Sequence, residues 1–190
     1  MRIDSGAHKG KKLVVPEGRD VRPTADRARQ AIFNMLVHGD NVVRGARVLD
    51  AFAGSAALGL EALSRGAASL VAFDNDAAAL KAVRANVAGC REEARTLVQT
   101  ADATRPPEMR GFGDKAPADL VFLDPPYGKD LVPAALSALD KGRWIAAGAI
   151  IVAEMDRRDP FELPAGYDLI TDRAYGKARI IILRKAGSAA

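Results

Sequence analysis

The tetrapeptide Asp124-Pro125-Pro126-Tyr127 carries the most specific chemistry in this 190-residue sequence. Two consecutive prolines fix the backbone and remove two N–H donors, so the carbonyls around them can only accept hydrogen bonds. With the Asp124 carboxylate beside them, the corner suits a ligand rich in N–H. An exocyclic amine on a nucleobase is such a ligand, and it is a poor nucleophile because its lone pair is delocalised into the ring. If Asp124 accepts one N–H and the Pro125 carbonyl the other, the nitrogen is drawn toward a tetrahedral shape and its lone pair is released toward an electrophile. Pro126 stiffens the bend. Tyr127 offers a ring on which the extracted base stacks, a contact worth about 1–3 kcal/mol.

The electrophile is read from a second constellation. Asp50-Ala51-Phe52-Ala53-Gly54-Ser55-Ala56-Ala57-Leu58-Gly59 follows one apolar run, and Asp74-Asn75-Asp76 ends the next, 24 residues beyond Asp50. In an open α/β sheet, ligands bind beyond the carboxyl ends of the strands. A turn of small residues there lets a ligand lie against the backbone. Asp50, Phe52, Ala53 and Gly54 are assigned to that turn, Asp74 and Asn75 to the hydroxyls of a ribose, and Asp102 with Ala103 to an adenine whose amino group Asp102 accepts. Each acid has a plainer competing role: Asp74 suits a helix N-cap and Asp102 a loop or N-cap aspartate. A pyrophosphate-binding turn wants G-x-G-x-x-G at a helix N-terminus. Ala56 and Ala57 depart from that pattern, and an acid at position 50 repels pyrophosphate but suits the ammonium and sulfonium of S-adenosylmethionine. That donor, leaving as S-adenosylhomocysteine, is the expected cofactor, and direct in-line displacement on its methyl carbon needs no covalent enzyme intermediate. A nicotinamide enzyme is disfavoured further by the lack of a His or Lys near the strand ends.

These residues need a scaffold that brings them to one edge. Strands are expected at 47–52, 69–74, 96–100, 118–124 and 149–154, with helices near 56–65, 76–88 and 131–141 and stops at Gly66 and Gly89. Apolar strands without alternation, separated by helices, indicate a parallel sheet covered on both faces. The runs at 167–171 and 178–184 are too close for a crossover helix and should pair antiparallel. The fold class is therefore α/β: a seven-stranded, mostly parallel Rossmann-like sheet with an antiparallel C-terminal hairpin. Ahead of it, β-like pieces at 1–4 and 12–15 around Gly6 and Gly10 suggest a small hairpin or flap. Thr24 is read as the N-cap of an amphipathic helix bearing Ala28, Ala31, Ile32, Met35 and Leu36, which stops at Gly39. The expected divisions are a basic extension at 1–40, a catalytic domain at 41–186 and a frayed tail at 187–190.

Composition bounds the remaining choices. The chain is 48% hydrophobic and 27% charged, as ordinary globular proteins are, with one cysteine and two histidines, which leaves neither a disulfide framework nor a zinc ligand set. No apolar signal segment opens the sequence, and its longest apolar run is too short to cross a bilayer, so a cytoplasmic location is expected. The net charge of +4 arises wholly in residues 1–30, which hold eight Lys or Arg against four acids. Lys9, Lys11, Lys12, Arg22, Arg27 and Arg29 are read as phosphate contacts, with Thr24 among them; a merely solvated basic face is the competing reading.

The order of elements resembles that of a class I S-adenosylmethionine-dependent methyltransferase. At finer scale, Arg22-Pro23-Thr24-Ala25-Asp26-Arg27-Ala28-Arg29-Gln30-Ala31-Ile32-Phe33-Asn34, the Asp50 turn with Leu58 to Ala67, and Asp124-Pro125-Pro126-Tyr127 are similar to the motifs of the bacterial 16S rRNA guanine-N2 methyltransferases of the RsmD type. The resemblance spans nearly the whole chain. It implies methylation of the exocyclic N2 of one guanine, at the position numbered 966 in 16S rRNA, on rRNA or an assembling small subunit; a monomer is expected, and the composition points to chemistry without metal. It also implies that the basic arm holds rRNA while a flap closes over the flipped base. Two departures stand out: Ala56 where the family usually has Gly, and Asp74 where it commonly has Glu. The residues alone leave open an amino-methyltransferase acting on adenine N6 or cytosine N4 of DNA or RNA, and a non-catalytic RNA-binding ribosome assembly factor.

Overall fold

The apolar runs become one sheet in the order β3-β2-β1-β4-β5-β7-β6. Its strands are β1 (Arg47–Asp50), β2 (Ser69–Asp74), β3 (Thr96–Thr100), β4 (Ala118–Leu123), β5 (Ile145–Asp156), β6 (Tyr167–Tyr175) and β7 (Ala178–Lys185). The structure is a computed structural model and describes residues 1–16, 23–38, 41–126 and 131–187, without the side chains of 23–26. The first five strands pair in parallel, and β7 runs antiparallel to both β5 and β6. The expected fold class is the observed one. β5 reaches back to Ile145, which pairs with Ala118 before the register breaks and resumes at Ile150 opposite Leu120. Gly148, at φ +74°, lies within that irregularity, which is why the sequence pattern shows only its second half.

Helices α1 (Pro23–Val37), α2 (Ala57–Ser64) and α3 (Ala77–Cys90) cover one face, and α4 (Leu131–Lys141) lies on the other. On the first face Ile32, Phe33, Leu60, Leu63 and Val83 pack on Val48, Leu70, Leu120 and Ile182. On the second, Trp144, Phe73 and Phe112 form an edge-to-face cluster, and the Trp144 indole donates to the Pro107 carbonyl at 3.0 Å. Two helix ends differ from expectation. Thr24 lies inside α1 and is not its N-cap, because Pro23 already occupies the first turn, where its missing N–H costs nothing. α3 runs past Gly89 and stops at Arg91, which takes the left-handed conformation (φ 59°). Gly66, at φ +102°, does end α2. Gly39 lies outside the described residues.

The N-terminal pieces form a minimal hairpin held by the Arg2–Lys12 bridge. It is not a flap. Ile3 and Leu13 are buried in the core under α2. The fully buried Glu61 carboxylate accepts the backbone N–H groups of Asp4 (2.7 Å) and Ser5 (3.1 Å). Ser64 Oγ donates to the Ser5 carbonyl and accepts the His8 N–H, and His8 Nε2 contacts Glu92. A Cβ on Gly6 would lie 1.8 Å from the Ser64 carbonyl oxygen, so this glycine is required by close approach as well as by its φ of +81°. Ser64 ends α2 just before β2 begins, so the hairpin tip sits at the amino-terminal edge of the parallel strands. The hairpin and α1 thus contribute Ile3, Leu13, Ile32, Phe33 and Leu36 to the same core as the sheet.

Candidate functional site

The parallel register sets the site's geometry. Asp50 ends β1, opposite Ala72 on β2 and Phe122 on β4. Asp74 and Asp124 therefore each lie two residues beyond its level, on the strands either side, and all three acids reach the carboxyl edge.

Asp74 is buried and accepts two backbone N–H groups: Gly54 at 2.8 Å, from the small-residue turn, and Asp76 at 2.9 Å. The N-cap role that competes for Asp74 belongs to Asp76, whose carboxylate accepts from Ala78 (2.7 Å) and Ala79 (3.2 Å). Asp50 lies behind the turn and accepts the Gly59 N–H at 3.1 Å. Burial pushes its pKa up to about 7, the Gly59 N–H pulls the other way, and the neighbouring Asp74 charge adds to the rise. Ala56, fully buried, holds a left-handed conformation (φ 57°, ψ 32°) at the start of α2. The methyl group that departs from the family pattern is thus carried where L residues are strained by about 1–2 kcal/mol. Asn86 of α3 braces the same turn: its amide nitrogen donates to the carbonyls of Ser55 (2.9 Å) and Val14 (2.8 Å), and its oxygen accepts the Val14 N–H (2.7 Å). Sequence reading missed Asn86 because a polar residue in an amphipathic helix gives no local sign of burial.

A cavity of about 230 Å³ opens at this edge. Phe52, Asp74, Asn75, Asp102, Ala103 and Pro126 line it, joined by Ala51, Ala101 and Leu131. Asp50, Ala53 and Gly54 stand behind that wall. Asp102 lines the cavity and turns one oxygen onto Thr104, accepting its N–H at 2.8 Å and its hydroxyl at 2.7 Å. Leu131, the first residue of α4, is a further lining residue that its apolar character alone does not single out. Just beyond β4, Asp124 is exposed, Pro125 buried and Pro126 exposed toward the cavity. Tyr127 and Arg22 lie outside the described residues.

The basic set divides. Lys9, Lys11, Lys12 and Arg27 are exposed, whereas Arg29 is 5% exposed and binds Asp4 (2.9 Å) and the Arg2 carbonyl (2.9 Å). Arg29 is thus a buried tie between α1 and the hairpin, which corrects its reading as a phosphate contact. Lys9 and Lys11 belong to the hairpin tip at the edge opposite Asp124, so they do not close over a base there. Among the described residues no group of three or more His, Cys, Asp or Glu is placed to hold a metal, and no helix is long and apolar enough to cross a membrane.

A sheet of this order, with its cavity spanning the ends of β1, β2 and β3 and abutting the diproline corner of β4, has the architecture of a methyltransferase. The family model described as Conserved hypothetical protein 95 matches residues 1–184, and the chain belongs to that family. The Ribosomal RNA small subunit methyltransferase D of Escherichia coli strain K12 is 34% identical over 180 residues, which cover 93% of this chain and 86% of that protein. The Bacillus subtilis protein YlbH is 36% identical over 193 residues, covering 98% of this chain and all of the relative. Among solved structures, Escherichia coli yhhF superposes with a TM-score of 0.82 at 32% identity, covering 99% of both chains.

Proposed function

We propose that this protein transfers a methyl group from S-adenosylmethionine to the exocyclic N2 of a guanine in 16S rRNA, at the position equivalent to 966. The observation that carries the reading is the single cavity in which the turn after β1, the acid of β2, the loop after β3 and Pro126 meet. Those residues fit the donor: Asp74 and Asn75 for its ribose, Asp102 and Ala103 for its adenine, and the small-residue turn for its amino-acid portion, with Asp50 supplying negative charge behind. When bound, S-adenosylmethionine supplies an electrophilic methyl carbon.

The remaining chemistry belongs to the chain. Asp124 and the Pro125 carbonyl accept the two N–H groups of the target amine and free its lone pair. Pro126 fixes the corner, and Tyr127 stacks on the flipped base. The proton released on methylation leaves through Asp124 or water. Arg22, Thr24 and Arg27 contact rRNA near the start of α1, and Lys9, Lys11 and Lys12 reach phosphates farther away. Support for the rRNA substrate comes from the curated relative, whose name specifies the small-subunit RNA.

The test is methyl incorporation into small-subunit rRNA followed by nucleoside analysis. N2-methylguanosine is expected, with at least a hundredfold loss, by order of magnitude (~10²), for Asp124→Ala and retained donor binding. Transfer at the wild-type rate by that variant refutes the mechanism, and N6-methyladenosine or N4-methylcytidine refutes the target.

A further inference from the structure

With the hairpin tip at the far edge, an RNA strand at the Asp124 corner needs cations from elsewhere. We propose that Arg157 and Lys177 form a phosphate-binding step for that strand, on the flank of the corner away from the donor cavity; this rests on the rRNA reading above. The Arg157 N–H donates to the Lys177 carbonyl at 2.8 Å, which ties the exit of β5 to the β6–β7 turn and sets two cations side by side. Both side chains are exposed.

Two of the surrounding acids are paired with other cations. Both oxygens of Asp156 are bound by Arg158 (2.9 and 3.1 Å), although the field of Lys177 also reaches that carboxylate. Asp172 is paired with Arg179 at 2.7 Å, and the charge of Asp159 acts on Arg158. Among the described residues neither Arg157 nor Lys177 forms an ion pair. Adjacent like charges repel, and an anion spanning them relieves that repulsion.

The register puts the pair near the reaction. Leu123 of β4 is opposite Ala153 of β5, and Asp156 of β5 is opposite Ala178 of β7. Asp124 is therefore level with Glu154, Arg157 lies three residues farther along one strand away, and Lys177 two strands away. At roughly 3.3 Å per residue and about 4.8 Å between strands, both lie on the order of 10–15 Å from Asp124. A strand delivering one base to the corner passes phosphates through that distance, whereas the donor cavity occupies the β1–β3 side.

The experiment compares wild-type protein, Arg157→Gln/Lys177→Gln and a charge-matched control, Lys141→Gln/Arg143→Gln, whose exposed cations lie at the amino end of β5. Each binds a small-subunit rRNA fragment across a salt series. Loss of two phosphate contacts makes the slope of log K against log salt shallower by about 1.5. That change in the first variant only, with donor affinity and thermal midpoint unaltered, is the expected result. An unchanged slope, or an equal change in the control, overturns the proposal. Failure of the wild type to methylate small-subunit rRNA counts against the rRNA reading alone, because the slope is read from binding without transfer.

Discussion

Acidifying the solution from pH 8 to pH 5 is expected to weaken binding of S-adenosylmethionine by about 100-fold. Burial pushes Asp50 up to about 7, so by pH 5 only about one molecule in a hundred carries the carboxylate to which the proposed donor site assigns the pull on the ammonium. Each pH unit below 7 then costs tenfold in affinity, or about 1.4 kcal/mol. Near pH 8 the ammonium of the donor itself begins to titrate, so affinity should peak between about pH 7 and 8. The same group makes a statement about stability. Its folded-state pKa is raised, so between about pH 4 and 7 the folded chain holds a proton that the unfolded chain has released. Stability of the unliganded protein therefore falls as pH rises across that window, by up to about 4 kcal/mol, and is flat above it for this group. Titration calorimetry at pH 6 in two buffers of different ionisation enthalpy should reveal release of close to one proton on binding. Asp50→Asn should flatten both the affinity profile below pH 7 and the stability profile. Donor affinity that is constant from pH 5 to 7, or an Asp50→Asn variant with the wild-type profile, refutes the reasoning.

Three further outcomes are expected. In Ala56→Gly, relief of about 1–2 kcal/mol of left-handed strain is offset by a lost buried methyl (about 0.8 kcal/mol) and a looser unfolded chain (about 0.4–1 kcal/mol), so the thermal midpoint should move little. Gly59→Ala would place a Cβ 2.6 Å from Leu70 Cδ1 and 3.3 Å from Asp50 Oδ2, and denaturant unfolding should show a loss of about 1–3 kcal/mol. Glu61→Ala strands the N–H groups of Asp4 and Ser5 and the Arg65 guanidinium; a loss of about 3–5 kcal/mol is expected, with hydrogen-exchange protection failing first in residues 3–14. Wild-type protection there would contradict the clamp.

The sheet was legible because the central strands carry short apolar runs, at 48–49, 70–73, 120–123 and 149–153, and the helices between them are long enough to cross over. The carboxyl-edge acids were legible for the same reason: they end those runs. What escaped was set by distant partners. The hairpin reads as a flap because Gly6 and Gly10 suggest looseness, yet Gly6 is there to let the chain touch Ser64, 58 positions away. Nothing local marks Glu61, Ser64 and Asn86 as buried acceptors and donors. Arg29 is different, since its burial was readable: Ile32, Phe33 and Leu36 follow it at helical spacing, which puts it on the apolar stripe of α1. Its place in a run of cations obscured that.

The anchoring of residues 3–14 also has a bearing on the order in which the chain matures. The ribosome releases this stretch before Glu61, Ser64, Asn86 and Glu92 exist to receive it, so Ile3 and Leu13 emerge without the surfaces that later bury them. Docking becomes possible once Glu92, the last of those partners in chain order, has been made, which precedes every residue of β3 to β7.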